Sequence, residues 1–538
     1  MSRLKSFRSA VILVSLSSCL GIAAASNPGQ EAAAPQLGQV NFPTSCAAGA
    51  QPLIETGVAL LHSFQYQQAE QTFSDAAKRD PKCALAFWGK AMSRYEQLWE
   101  FPSPKKLKLG AADIRRARTI GASTPRERAY VTAAAAFYLA DAKLSETQRV
   151  KAYSSALAAL HQQFPGDINA ASFYALSLVA LADQQEVDVQ ANRKAAIAIL
   201  VPLCQAAPNN PGPAHYLIHA TDTPEFASQG LQAARAYAKI APDSSHALHM
   251  PSHIFVRLGL WQESISSNIA AAASAAKATQ EHRAVAHYQF HALDFLNYSY
   301  LQSGQESKAR ELVKELANVP GADRESVAEH QAWLAARNAF ELHRWKEAAE
   351  LPIPSIPRDS QESLYRVRTI GAARSGNAAA ARQNLQKFIE ISAEEQRKEH
   401  HHADKAPDKS IRQLEAEAWV AFAEGKSDEA VTTLRAAADR EDADGVDSLA
   451  MPAREMLADL LLELKQPAEA LAEYKSALKN SPNRFDSLFG AGRAAQLAGD
   501  SAGANSYYSR LMEISAPSAD RAELAEAKSY LARASKSN

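Results

Sequence analysis

Glycine is scarce in this chain, at 22 of 538 residues, and aromatic residues make up only 7%. With alanine abundant, that shortage argues against sheets joined by tight turns and for helices. Four cysteines in so long a chain exclude a disulfide scaffold, and no C-x-x-C pair suggests redox work. Charge of one sign is missing too. With 58 basic and 59 acidic side chains, the net of −1 gives no general attraction to nucleic acid or to an anionic membrane. Beyond the N-terminus no apolar run reaches the ~18 residues of a membrane-spanning helix. Catalytic signatures are also absent. His215-Tyr-Leu-Ile-His219 lacks the glutamate of a zinc protease, and Gly425-Lys426-Ser427 has Val420 where a phosphate loop needs glycine. No G-x-S-x-G occurs. No catalytic residue is therefore assigned, and the chain reads first as a binding protein, with a metal-binding protein or metalloenzyme using its paired histidines as the alternative. What is present is 46% hydrophobic residues, enough for a large core, in a length that implies several domains or one repetitive one.

The start has the layout of an export signal, residues 1–25. Arg3, Lys5 and Arg8 precede the apolar run Ala10–Leu16, and small residues lead to Ala23-Ala24-Ala25. Cleavage there would release a periplasmic or secreted protein beginning with a linker over 26–45. Leu16-Ser-Ser-Cys19 resembles a lipobox, which leaves a lipid anchor at Cys19 as the alternative. In an oxidising compartment Cys46 and Cys83, which flank one helical hairpin, would form a staple. Cys204 lies in an apolar helix and reads as a small buried hydrophobe.

Internal repetition is the strongest signal. Ala470, Tyr474, Ala477 and Pro482 stand in the pattern A-x3-[FY]-x2-A-x4-P, and Ala504 and Tyr508 repeat it 34 residues later. Ala69, Phe73, Ala76 and Pro81 show it near the other end. Weaker copies align on turns at Gly259, Gly304, His343, Gly376 and Gly425. The pattern resembles the tetratricopeptide repeat (TPR), a 34-residue helix–turn–helix in which helix A and helix B approach through small residues. The resemblance implies an all-α, TPR-type helical-hairpin solenoid. It would run over 46–350, bend at a Pro-rich joint (351–358), and continue over 359–538 to a capping helix. A narrower likeness rests on Leu60-Leu-His62-Ser-Phe64, Asp80-Pro-Lys-Cys83-Ala-Leu-Ala-Phe-Trp88-Gly89, Ala214-His-Tyr-Leu-Ile-His219 and His249-Met-Pro-Ser-His253. These look like signatures of a group of exported bacterial TPR proteins whose activity is not settled, so they imply fold and export but no reaction.

In TPR proteins the fifth and ninth places of helix A line a concave groove. That rule, with neighbouring positions, nominates Trp88, His246, His291, Tyr298, Trp333 and Arg337 as contacts for a protein or peptide partner in the cell envelope. The same places hold His215 and His219, then His249 and His253, with the two pairs 34 residues apart. Spacing i, i+4 stacks side chains on one helical face, and packed helices lie about 8–10 Å apart. The four imidazoles, with Asp294 one unit on, would suit zinc or copper. The competing reading is that neutral histidines bond one another, carbonyls or a peptide. Pro251 bears on the choice, because a helix starting there would leave His249 in the preceding turn. His400-His401-His402 falls in a charged stretch and reads as a solvated tract.

Overall fold

Eight of the repeats close their first helix in the same way. A residue with positive φ follows helix A (Phe64, Gly259, Gly304, His343, Gly376, Gly425, Lys465 or Gly499). The next amide then donates to the carbonyl five residues back, at 2.8–3.0 Å in every case. This Schellman bond satisfies an orphan carbonyl at the helix end and turns the chain antiparallel. The five turn positions expected from sequence are all among these eight.

The computed structural model describes residues 35–98, 101–141, 143–182, 188–281, 285–399 and 409–537. The export signal, Cys19, His282 and the triple histidine at 400–402 lie outside them. Among the described residues there are helices and no strand, and residues Gln36–Asn538 form one compact unit. The architecture is the all-α TPR-type solenoid that the repeat pattern implied. Helix Gln51–His62 packs on Tyr66–Arg79, that helix on Ala84–Met92, and the scheme continues to Phe485–Leu497, Ser501–Ile514 and the last helix, Glu523–Ser537.

The repeat residues explain the packing. Ala69, Phe73 and Ala76, like Ala470, Tyr474 and Ala477, are buried between helices. The Phe73 ring fills the space over Gly57 and Gly89, where a Cβ would overlap it, and Tyr474 does the same over Gly490. Several helix starts carry oxygen caps, including capping boxes at Thr124/Glu127 and Ser145/Gln148.

The Pro-rich stretch connects helix Trp345–Ala349 to helix Arg358–Arg374, and these two pack against each other. Later repeats return to earlier ones. Trp261 Nε1 donates to the Asn483 carbonyl at 2.9 Å, and the amides of Ala516 and Asp520 donate to Ser303 and Gly304 at 2.9 Å each. Between these contacts the Arg484 guanidinium, fully buried, bonds Glu341 at 2.7 Å, Glu455 at 2.8 and 2.9 Å, and the Tyr298 hydroxyl at 2.9 Å.

Three expectations are corrected by burial. Trp88, only 2% exposed, stacks on Phe42 and meets Tyr130 and Phe173 edge-on, so it belongs to the core and not to a groove. Tyr298, also 2% exposed, is held by Arg484 and Trp261. Cys204 is half-buried, not fully buried.

Candidate metal centre

Two short helices, Ser245–His249 and Pro251–Leu258, meet at Met250, whose backbone is still right-handed helical. Pro251 stands at the first position of the second helix, where its missing N–H does no harm. The helical path therefore survives the proline, and His249 and His253 remain side by side, their rings edge-on and their Nε2 atoms 3.1 Å apart.

The imidazoles divide into two trios. His215, on helix Pro211–Thr221, has its Nε2 3.1 Å from Nε2 of His219 and 3.1 Å from Nε2 of His246. His249, His253 and His291 form the second trio, and in each set one nitrogen per ring lies within 4.8 Å of the others. The expected four histidines are thus not one site. They belong to two, each completed by a residue from the next repeat that the groove rule had set aside for a partner, His246 or His291. Asp294 joins neither. Its carboxylate pairs with Arg337 and accepts from Trp333 Nε1 at 3.2 Å.

The hydrogen bonds behind the rings decide their protonation. His215 Nδ1 sits 2.6 Å from the carbonyl of His62, which can only accept, so Nδ1 carries the proton and Nε2 presents a lone pair. His249 Nδ1 donates to Asn268 Oδ1 at 2.7 Å, and that amide is oriented by its own Nδ2–H bond to the Ser264 carbonyl. His253 Nδ1 donates to Asp222 at 2.8 Å. Burial tends to raise the Asp222 carboxyl, but Arg257 at 2.9 Å and His253 hold it well below the usual carboxylate range. Each arrangement resembles the orienting bond behind a metal-ligating histidine.

Burial also keeps the rings neutral. It depresses His215 to about 3 and His291 to about 4, and it holds His219, His246 and His249 well below their ordinary value, with neighbouring imidazoles adding to the effect. Their lone pairs are therefore available at neutral pH. His215 Nε2 has a single lone pair and two nitrogen neighbours at hydrogen-bond distance. It can accept only one proton, so a cation answers the arrangement better than hydrogen bonds do. A tetrahedral ion with bonds of about 2.05 Å needs nitrogens about 3.3 Å apart; His215 Nε2 comes close to this toward both partners, and the nitrogens of His219 and His246 lie within 4.8 Å of each other.

Sequence reasoning overlooked the supports: Phe64, Asn268 and Asp222. Phe64 holds φ at 54° and is fully buried, with its ring 4.4 Å from that of His215 and stacked on His219 and His246. A bulky side chain in the left-handed region is strained, and here the strain sits beside the first trio. His62 donates from Nε2 to Asn169 and accepts at Nδ1 from Tyr216 at 2.9 Å each, which anchors the residue whose carbonyl lies under His215.

Three cavities adjoin. One of about 870 Å³ is walled by His219, His246, His253 and His291 together with Tyr66 and Tyr288. A second, of about 330 Å³, shares His287 and His291 with it. A third, of about 340 Å³, shares Asp294 and Trp333 with the second and contains Arg337 and Glu441. Trp333 is 36% exposed. Of the groove residues expected from sequence, Trp333 and Arg337 therefore do face this trough, and His246 and His291 face it from the trios.

Residues 415–485 and 455–520 match the family model described as Tetratricopeptide repeat. That part of the chain consists of tetratricopeptide repeats, and the all-α fold of the described residues is of the TPR type. No match was found among the curated proteins. Similar solved structures include a tetratricopeptide repeat protein from Parabacteroides merdae (15% identity, TM-score 0.31, 54% of this chain and 97% of that one). Human IFIT1 as a dimer with PPP-AAAA is another (11%, TM-score 0.36, 85% and 89%). The P58(IPK) TPR domain is a third (14%, TM-score 0.22, 84% and 99%). At such identities and TM-scores these likenesses say nothing of what this chain binds. Among the described residues no helix is long and apolar enough to cross a membrane.

Proposed function

We propose that this chain is an exported metalloprotein built on a TPR solenoid, holding zinc or copper in two three-histidine centres. The observation that carries the reading is His215, whose Nδ1–H is tied to the His62 carbonyl while its Nε2 faces two further Nε2 atoms at 3.1 Å. An all-imidazole set suits zinc or copper, and three protein ligands leave a position open. Residues of both trios would hold the ions, and a bound ion would supply Lewis acidity at the cavity wall. The disulfide between Cys46 and Cys83 supports export, since such bonds persist in oxidising compartments. The test is elemental analysis of the purified protein beside a His215→Ala/His253→Ala double variant. Tightly held metal in the wild type, lost in the variant, is expected. A protein that takes up neither zinc nor copper sinks the reading. Mass spectrometry of the mature N-terminus distinguishes cleavage after Ala25 from acylation of Cys19.

A second reading is favoured by the trough. The TPR fold suggests a protein-interaction scaffold, and the joined cavities between the trios and Trp333 would seat a peptide segment from an envelope partner. Photo-crosslinking from position 333 in the envelope fraction should capture one defined protein. A smear of abundant proteins would count against this reading.

A further inference from the structure

The two trios are copies made by the repeat. His215 and His219 lie on one helix A and take His246 from the next unit. His249 and His253 lie on that next unit and take His291 from the one after. The copies touch at two points, with the rings of His219 and His253 6.3 Å apart and those of His246 and His249 also 6.3 Å apart. Two rings of each trio open on the same cavity of about 870 Å³, while His215 and His249 stand behind them.

No carboxylate belongs to either set among the described residues. Asp222 bonds the back of His253 and is itself paired with Arg257, and Asp294 is paired with Arg337. Two divalent ions would bring four positive charges to six neutral imidazoles, on a wall where Arg193 and Arg257 stand against Asp222 and Glu96, and both carboxylates are already ion-paired, Asp222 with Arg257 and Glu96 with Lys106. Charge of that density in a partly enclosed space calls for an anionic oxygen donor from outside, and a pair of ions facing one space suits a ligand with two oxygens.

We propose that the two trios hold a pair of ions that jointly bind one oxyanion group of a substrate, a phosphate or a carboxylate, in the shared cavity. The inference rests on the metal-centre reading. It is tested on the full chain loaded with zinc, by titrating inorganic phosphate and, separately, acetate in a calorimeter. The wild type should hold two zinc ions and bind one oxyanion per chain, and the tighter of the two probes identifies the substrate's group. His215→Ala and His253→Ala, each removing one trio, should keep one zinc and bind the oxyanion about 100-fold more weakly. Single-trio variants with wild-type oxyanion affinity, or a two-zinc protein that binds neither probe, would overturn the pairing and leave the metal centres standing. A chain that takes up no metal overturns both. Because a variant in this buried cluster can fail to fold, the wild type is also loaded with Cu(II). Two coppers per chain with a spin-coupled resonance that phosphate changes as one species support the pair. Two independent full-intensity signals, only one of them moved by phosphate, refute it.

Discussion

Asp222 belongs to neither trio, yet it fixes the tautomer of His253 by accepting from its Nδ1. Asp222→Asn keeps the shape but removes the charge that secures Nδ1–H, so zinc affinity should fall about 10–100-fold while the fold is retained. Competition with a chelator reads this directly, and an unchanged affinity would assign Asp222 to Arg257 alone. A second residue-scale effect lies at the far end of the trough. Glu441 is 6% exposed, and one of its oxygens accepts from the Ala453 amide at 2.7 Å. Burial first, and Glu415 next, push its carboxyl up to about 8; Asp442 adds to the rise, and Arg366 opposes it. A raised folded-state value means the native state binds the extra proton between the unfolded value near 4.5 and about 8. Its contribution is complete below the lower value and is lost as pH rises through the upper one. Glu441→Gln should therefore flatten the fall in stability over that window, by at most about 1.4 kcal/mol per pH unit. Denaturant titrations at pH 5 and pH 9 compare the two proteins, and parallel pH profiles would contradict the assignment. The raised carboxyl was not legible beforehand, because Glu441 and Glu415 are 26 residues apart and meet only in the folded chain.

Within an element the chain is far more readable. The positive-φ turn residues, the alanines of the close-packed faces and the aromatic of helix B recur at visible spacing, so the hairpins could be laid out before any coordinates. Pro251 was ambiguous for a local reason. A proline starts a helix as readily as it breaks one, and only the right-handed backbone at Met250 shows that the two helices share one path. The Cys46–Cys83 bond joins the segment before helix Gln51–His62 to the start of helix Ala84–Met92, closing the first hairpin across a separation of 37 residues. In the chain-entropy model a loop of that size contributes about 3–4 kcal/mol. A Cys46→Ser/Cys83→Ser double variant should unfold at correspondingly lower denaturant. An unchanged midpoint would place the stability of the N-terminal hairpin wholly in the packing of Phe73 and its neighbours.

For the molecule as a whole, the feature with most consequence is the return of the later repeats onto residues 261–341. Arg484 bonds Glu341, Glu455 and Tyr298 with no exposure to water, so its removal leaves two buried carboxylates without their cation. Burial already raises Glu455 to about 7 against the pull of Arg484. Arg484→Ala should cost about 3–5 kcal/mol. It should also increase amide exchange along helices Phe485–Leu497 and His287–Gln302 together, which mass spectrometry of exchange resolves by segment. Faster exchange in only one of the two would mean that the contact does not couple them. This closure had no forerunner in the sequence pattern, which describes each unit against its neighbour and is silent on units far apart in the chain. The amino-acid sequence alone determined the helix–turn–helix unit, its period and the two i, i+4 histidine pairs, because those depend on local propensity and on side chains a few residues apart. Tertiary structure alone decided that His246 and His291 complete the trios, that Asp294 and Trp88 belong elsewhere, and which nitrogen carries the proton in His215, His249 and His253. Those outcomes depend on which helices lie side by side and on what acceptor lies behind each ring, and no spacing along the chain encodes either.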